Sequence, residues 1–308
     1  MADGGDAVKV LVAGGAGFLG SNLCHRLIDG GDIVYCMDTL STSSTDNIAD
    51  LYSANRFHLI LANVINPLPE IRVDQIYHLA SPTAPGAYQR DPEGTVEANV
   101  KGTLNLLRMA NIQGAKMLFA SSIRVTEPLE LESPHSCYVD GKRQAEELCL
   151  NYHQIHHVDV KIARLFNTYG PRMAKDDSRV VPTFVRQALR GDPLKIAGDG
   201  AQKDSFCYVD DMVDALIAYM NSDIKLGPME FGYPDPIAIL YLAKLVIQVT
   251  HSQSVIEFNG VVRSARELEI KRHRPVPDIS DAEEKLGWFP VVSLPVGLRL
   301  LAEYYEGV

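Results

Sequence analysis

A short apolar strand that runs straight into glycines at 14, 17 and 20, and from there into a helical pattern, restricts this chain to few folds. Val8 to Gly20 reads Val-Lys-Val-Leu-Val-Ala-Gly-Gly-Ala-Gly-Phe-Leu-Gly. Glycines at these positions permit a tight turn, let backbone N–H groups approach a pyrophosphate, and allow the following helix to pack closely on the strand. Gly14, Gly17, Phe18, Leu19 and Gly20 are therefore candidate cofactor-binding residues. A second apolar strand, Ile33-Val-Tyr-Cys-Met37, closes on Asp38. Asp38 stands where a dinucleotide-binding unit places the carboxylate that accepts from an adenosine ribose. Neither Arg nor Lys follows it before Arg56. A 2′-phosphate would meet a negative charge with no local counter-charge, so the expected cofactor is NAD and not NADP.

The second informative element is Tyr138-Val-Asp-Gly-Lys142, at the start of a helical stretch that continues Arg-Gln-Ala-Glu-Glu-Leu-Cys. Residues four apart share one helical face. An ammonium beside a phenol favours the phenolate, which lets Tyr138 act as a base near neutral pH although free tyrosine titrates at about 10. Ser121-Ser122 ends the apolar strand Met117-Leu-Phe-Ala120, at the carboxyl end where doubly wound sheets place ligands. One of these serines is positioned to hydrogen-bond a reacting hydroxyl.

Short apolar strands alternate with helical stretches to about residue 168: strands at 8–13, 33–37, 57–61, 75–79, 116–120 and 159–165, with helices from 18 and over 94–111 and 138–156. This alternation predicts an α/β fold, a Rossmann-type doubly wound parallel sheet with right-handed crossovers. Beyond Gly170-Pro171, prolines at 182, 193, 228, 234 and 236 break the pattern. The expected organisation is an NAD-binding domain over 1–168 and a smaller mixed α/β substrate lobe over 169–308, whose chain partly returns to the first near 205–220. Thr39 to Asp46 reads as a polar loop.

The 308 residues, 46% of them hydrophobic, are enough to bury a large core, and the net charge of −10 argues against nucleic acid or an acidic membrane as partner. No apolar run reaches membrane-spanning length, and the start Met-Ala-Asp-Gly-Gly-Asp is neither basic nor apolar. A cytoplasmic location is expected. The five cysteines, at 24, 36, 137, 149 and 207, are scattered without metal-type spacing. His153, His156 and His157 lie on an amphipathic helix without acidic partners at fixed spacing, and no metal site is expected.

Several ordered segments carry a family resemblance: His78-Leu-Ala-Ser-Pro82, Asn99-Val-Lys-Gly-Thr-Leu-Asn105, Tyr138-Val-Asp-Gly-Lys-Arg143, Ala163-Arg-Leu-Phe-Asn-Thr-Tyr-Gly-Pro-Arg172, Arg179-Val-Val181, Asp199-Gly200, Tyr208-Val-Asp-Asp211 and Leu286-Gly-Trp288. Through them the chain resembles the extended short-chain dehydrogenase/reductases that remodel nucleotide sugars, and among these it is most similar to the UDP-glucuronate decarboxylases. The resemblance implies a catalytic set of Ser122, Tyr138 and Lys142. It also implies further cofactor contacts from Asn63, Val64, Leu79, Ala80, Ser81 and Asn99. Substrate contacts are implied for Pro82, Arg124, Asn167, Arg179, Val180, Lys203 and, in a basic stretch of shifted spacing, Arg272 and Arg274.

The implied reaction removes a proton from a sugar 4-hydroxyl through Tyr138 while hydride passes to NAD+. The 4-keto hexuronate then loses carbon dioxide, and the returning hydride leaves a pentose. The implied substrate is a UDP-linked sugar, and the implied assembly is a homodimer joined through the helices at 94–111 and 138–156.

Two departures bear on this expectation. Where the decarboxylases read Ser-Thr-Ser-Glu-Val-Tyr-Gly, this chain reads Ser121-Ser-Ile-Arg-Val-Thr-Glu127, so Arg124 replaces an acid. Either Arg124 grips a substrate carboxylate, which opposes decarboxylation and favours a 4-epimerase, or it faces solvent or a nearby acid. In Gln202-Lys-Asp-Ser-Phe206, Asp204 holds the place of a diphosphate-binding arginine. Lys203 substitutes for it, Asp204 turns away, or the leaving portion of the substrate differs. A non-catalytic NAD-binding regulatory protein and a reductase using free NADPH are further alternatives. The intact Ser122, Tyr138 and Lys142 argue against the first, and Asp38 argues against the second.

Overall fold

The computed structural model describes residues 7–127, 135–224, 227–259 and 275–307. It divides into two compact units, Met1–Arg164 with Leu216–Met229, and Leu165–Ala215 with Glu230–Val308. In the first unit, strands β1 (Lys9–Ala13), β2 (Ile33–Asp38), β3 (Phe57–Leu61), β4 (Gln75–His78), β5 (Lys116–Ser122) and β6 (Val160–Leu165) lie in the order β3-β2-β1-β4-β5-β6, and Pro228–Phe231 extends the sheet beside β6. The pairs β1–β2, β2–β3, β1–β4 and β4–β5 are all parallel. Val10, Leu11, Val12 and Ala13 are fully buried, as expected for a strand covered on both faces. The order reverses between β1 and β4, which is where open α/β sheets place their ligands.

The turn after β1 is built by its glycines. Gly14 has φ +83° and Gly15 follows it; their N–H groups donate to Met37 O at 2.8 and 3.3 Å, fastening the turn to β2. A Cβ on Gly14 would lie 2.7 Å from Ala80 N, and one on Gly20 would lie 2.0 Å from Gly14 O. Any larger residue would push helix α1 (Phe18–Asp29) off the strand or close the turn against the segment after β4.

After β4 a short helix α2 (Pro85–Arg90) leads into the long α3 (Pro92–Gln113), and α4 (Ser136–His156) follows β5. Pro92 stands in the first turn of α3, and the Asp91 carboxylate accepts from Gly94 N at 2.9 Å. Together these start the helix, and Gly114 at φ 68° ends it. Helices α3 and α4 pack on each other, and one core joins Leu106, Leu107 and Ala110 of α3 to Ala145 and Cys149 of α4 and to Leu11, Ile76, Met117, Phe119 and Ile162 of the sheet.

In the second unit, helices Val180–Arg190, Ile239–Val249, Ser280–Leu286 and Leu294–Gly307 accompany short strands. Leu194–Ala197 pairs in parallel with Ile256–Asn259, while Lys203–Asp204 pairs antiparallel with Ile237–Ala238. The indole N–H of Trp288 donates to Asp211 O at 2.9 Å. Among the described residues no helix is long and apolar enough to cross a membrane.

Candidate active site

At the carboxyl ends of β1, β2 and β4 the first unit opens a cleft of ≈ 410 Å³. Gly14, Gly17, Asp38, Asn63, Val64, Leu79, Ala80, Ser81 and Pro82 line it, while Phe18, Leu19 and Gly20 form the first turn of α1. The segment after β2, read above as a polar loop and no more, also lines the cleft through Thr39, Ser41, Thr42 and Ser43. Its position directly after Asp38 was the available signal; hydroxyl-rich composition alone does not separate a ligand wall from a solvated turn. Asn47 Nδ2 donates to Ala16 O at 3.0 Å and pins the far end of the loop to the glycine turn.

Asp38 Oδ2 accepts from Ala16 N at 3.0 Å, and Oδ1 accepts from Leu40 N and Ser43 Oγ, both at 2.9 Å. A turn kept bare by Gly14 and Gly20, a helix N-terminus, and a carboxylate on the wall of the same cleft fit the adenosine and pyrophosphate of a dinucleotide.

Ser122, Tyr138 and Lys142 are all buried, at 8, 7 and 2% exposure, Ser122 on the last position of β5 and the other two on α4. Ser122 Oγ accepts from Arg124 N at 3.3 Å. Lys142 Nζ donates to Ala120 O at 2.7 Å, sits 4.6 Å from the centroid of the Phe119 ring and lies 6.0 Å from that of Tyr138. Burial drives the Lys142 ammonium down to about 7, against the opposing pull of Cys149 and Glu146. The Tyr138 ring stacks on Tyr88 with centroids 5.4 Å apart and planes inclined 18°. Tyr88 shares a hydrogen bond with His135 Nδ1, and burial raises its phenol to about 12. Neither Tyr88 nor His135 stood out in the sequence, because no motif links positions 47 residues apart.

Beneath these groups lies a chain of buried polar side chains. Thr103 Oγ1 donates to Asn99 O at 2.5 Å, so its 3.0 Å contact with His78 Nε2 is an acceptance, and His78 carries its proton on Nε2. Burial, aided by the Lys142 charge, holds His78 down at about 3, so the ring is neutral. Asn99, fully buried, donates through Nδ2 to Thr95 O at 2.9 Å. Behind Ser122, Ser121 Oγ donates to Glu146 Oε1 at 2.5 Å, and Arg164 grips the same carboxylate at 3.0 and 2.7 Å. This bidentate pair fixes the middle of α4 relative to the ends of β5 and β6.

Arg124, on the turn after β5, lies 3.8 Å from Glu127, and its charge reaches Tyr88. In the second unit, Asn167 Nδ2 donates to Asp204 Oδ1 at 2.6 Å and to Ser205 O at 3.3 Å. Asp204, 8% exposed, also accepts from Ser205 N at 3.1 Å. Arg179 chelates Asp177 at 2.6 and 3.0 Å and immediately precedes Val180, the first residue of its helix; Lys203 is exposed. Arg272 and Arg274 lie outside the described residues. Among those described, no group of three or more His, Cys, Asp or Glu is arranged to hold a metal.

Comparison with known proteins places this geometry in context. The model of the NAD dependent epimerase/dehydratase family matches residues 10–228. UDP-glucuronic acid decarboxylase 1 of Arabidopsis thaliana is 42% identical over 311 residues, covering 96% of this chain and 70% of the relative. The corresponding enzyme of Xenopus tropicalis is 39% identical over 314 residues, covering 98% and 73%. Among solved structures, UDP-glucuronic acid 4-epimerase from Bacillus cereus, in complex with UDP-glucuronic acid and NAD, aligns with a TM-score of 0.84 at 27% identity, covering 97% of this chain and 99% of the other. The UDP-glucose 4-epimerase of Thermotoga maritima aligns at 0.85 with 26% identity, covering 97% and 99%. With the family's model spanning more than half of the chain and its relatives nearly all of it, this protein belongs to the NAD dependent epimerase/dehydratase family.

Proposed function

We propose that this chain oxidises a UDP-linked hexuronate transiently at C4, releases the C5 carboxylate as carbon dioxide and returns a pentose nucleotide. The reading rests on the burial of Ser122, Tyr138 and Lys142 in the unit that carries the dinucleotide cleft, in a chain that matches over nearly all its length relatives named UDP-glucuronic acid decarboxylases. A bound NAD+, held by the glycine turn and Asp38, supplies a hydride acceptor that can give the hydride back.

The protein's own groups do the rest. Tyr138 takes the proton of the C4 hydroxyl, Ser122 orients that oxygen, and Lys142 steadies the phenolate. The ketone formed at C4 stands β to the carboxylate. When the C–C bond breaks, its electron pair moves onto the C4 oxygen, where Tyr138 and Ser122 hold donors. One proton is then taken up at C5, and Tyr138 returns its own as the alcohol re-forms. Asn167, Arg179, Val180 and Lys203, together with Arg272 and Arg274, are assigned to the nucleotide and diphosphate. The working form is assigned as a cytoplasmic homodimer, in keeping with five free cysteines.

Arg124 supports a second reading. An arginine on the turn after Ser122 is suited to pair with a hexuronate carboxylate and retain it as an anion, which gives a 4-epimerase. Incubation with UDP-glucuronate and NAD+, followed by mass and NMR analysis of the sugar, separates the two. A product lighter by one carbon dioxide is expected. Unchanged mass with an altered H4 coupling establishes epimerisation, and an unaltered substrate overturns both.

A further inference from the structure

Asp38, the acid assigned to the ribose, is occupied by the protein itself: Oδ1 already holds two donors, Leu40 N and Ser43 Oγ at 2.9 Å each, and Oδ2 holds Ala16 N at 3.0 Å. A carboxylate oxygen has two lone-pair sites. Oδ1 is therefore full, and only one site on Oδ2 remains for a ribose that brings two hydroxyls. The two backbone donors are fixed. Ala16 belongs to the glycine turn, and Leu40 is held at φ 60° inside a loop tied down at both ends, by Asp38 itself and by Asn47 on Ala16 O. Ser43 is the one donor that a single side-chain rotation can remove. It lies on the wall of the same cleft.

Resting on the dinucleotide reading, we propose that Ser43 is a cofactor-affinity residue: its hydroxyl holds one lone pair of Asp38 Oδ1 and must leave it before the ribose can engage both carboxylate oxygens. The serine thus competes with the adenosine ribose for one acceptor. Removing its hydroxyl frees the lone pair without altering the acid, whereas a threonine keeps the competitor.

Titration calorimetry with NAD+ tests this on the unmodified protein, Ser43→Ala, Ser43→Thr and Ser44→Ala. Ser43→Ala is expected to lower the Kd for NAD+ about ten-fold, one step of ~1.4 kcal/mol. Ser43→Thr, which restores a hydroxyl, and Ser44→Ala, whose hydroxyl pairs with Asp46 away from the cleft wall, are expected to stay within about two-fold of the parent, well inside one such step. Thermal melts establish that each variant is folded. An unchanged or raised Kd for folded Ser43→Ala overturns the assignment of Ser43 while leaving the dinucleotide reading intact. Failure of the unmodified protein to bind NAD+ at all overturns that reading and this proposal together.

Discussion

Lys142 carries a heavy electrostatic load in the site. Its amine is 2% exposed, one of its protons goes to Ala120 O, and burial brings its pKa from 10.5 to about 7. A base whose folded pKa lies below its unfolded value binds fewer protons folded than unfolded between the two. Stability therefore climbs by about 1.4 kcal/mol per pH unit from about 7 to 10.5 and is lost as pH falls back through that window. Lys142→Met removes this load but orphans the Ala120 carbonyl. The expected balance at pH 7 is a gain of about 2 kcal/mol in urea melts, a flattened pH dependence above 7, and no turnover. A destabilised variant would mean that the ammonium is better accommodated than its surroundings imply.

The base itself is tested by Tyr138→Phe, which keeps the ring stacked on Tyr88 and loses only the hydroxyl. NAD+ and substrate should bind as before while turnover falls about a thousand-fold. Near-normal turnover would remove Tyr138 from its role. Asp38→Ala should bring the affinities for NAD+ and NADP+ closer together by calorimetry, because it deletes the acid that repels a 2′-phosphate. Equal affinities in the unmodified protein would contradict the expectation drawn from Asp38. These residues were legible in the sequence because each sits at a fixed offset from a pattern: the acid at the end of the second strand, the serine at the end of another, Tyr and Lys one helical turn apart. Tyr88, His135 and Ser43 were not, since their placement depends on how loops fold back on strand ends.

Among the elements, β4 and α3 are joined by the buried relay His78, Thr103 and Asn99. Its chemistry was invisible in sequence although both elements were predicted close to their observed bounds. His78 and Thr103 lie 25 residues apart and meet only once the sheet has formed. The strand Pro228–Phe231 also escaped notice, because four residues between Gly227 and Gly232 are too short to show a period. Neutral His78, held at about 3 against an unfolded 6.5, gives stability that is complete above 6.5 and is lost as pH falls towards 3. Thr103→Val keeps the shape, removes the acceptor for His78 Nε2–H and is expected to lower stability by about 2 kcal/mol at pH 7. A loss within a few tenths of a kcal/mol of zero would show that another acceptor replaces it.

For the whole molecule, charge and surface pattern bear on how copies meet. A net charge of −10 spread over the chain disfavours association through polar rims, so a stable pairing needs an apolar seam. Helix α3 offers one. Val96, Val100 and Leu104 follow one another at four-residue spacing and stay half-exposed while Thr95, Asn99, Thr103 and Leu106 beside them are buried. Ile112 near the end of α3 and Ile155 near the end of α4 are 83 and 67% exposed. Two such faces set against their own copies would make a four-helix contact with twofold symmetry, each residue of one face meeting its counterpart. Light scattering at micromolar concentration is expected to give twice the chain mass of 33.9 kDa. Val100→Glu combined with Leu104→Glu should yield a folded monomer with unchanged NAD+ binding, because neither residue lines the cofactor cleft. A monomeric mass for the unmodified protein, or a dimer that survives both charges, would place the contact elsewhere or abolish it, leaving the stripe on α3 as ordinary exposed surface.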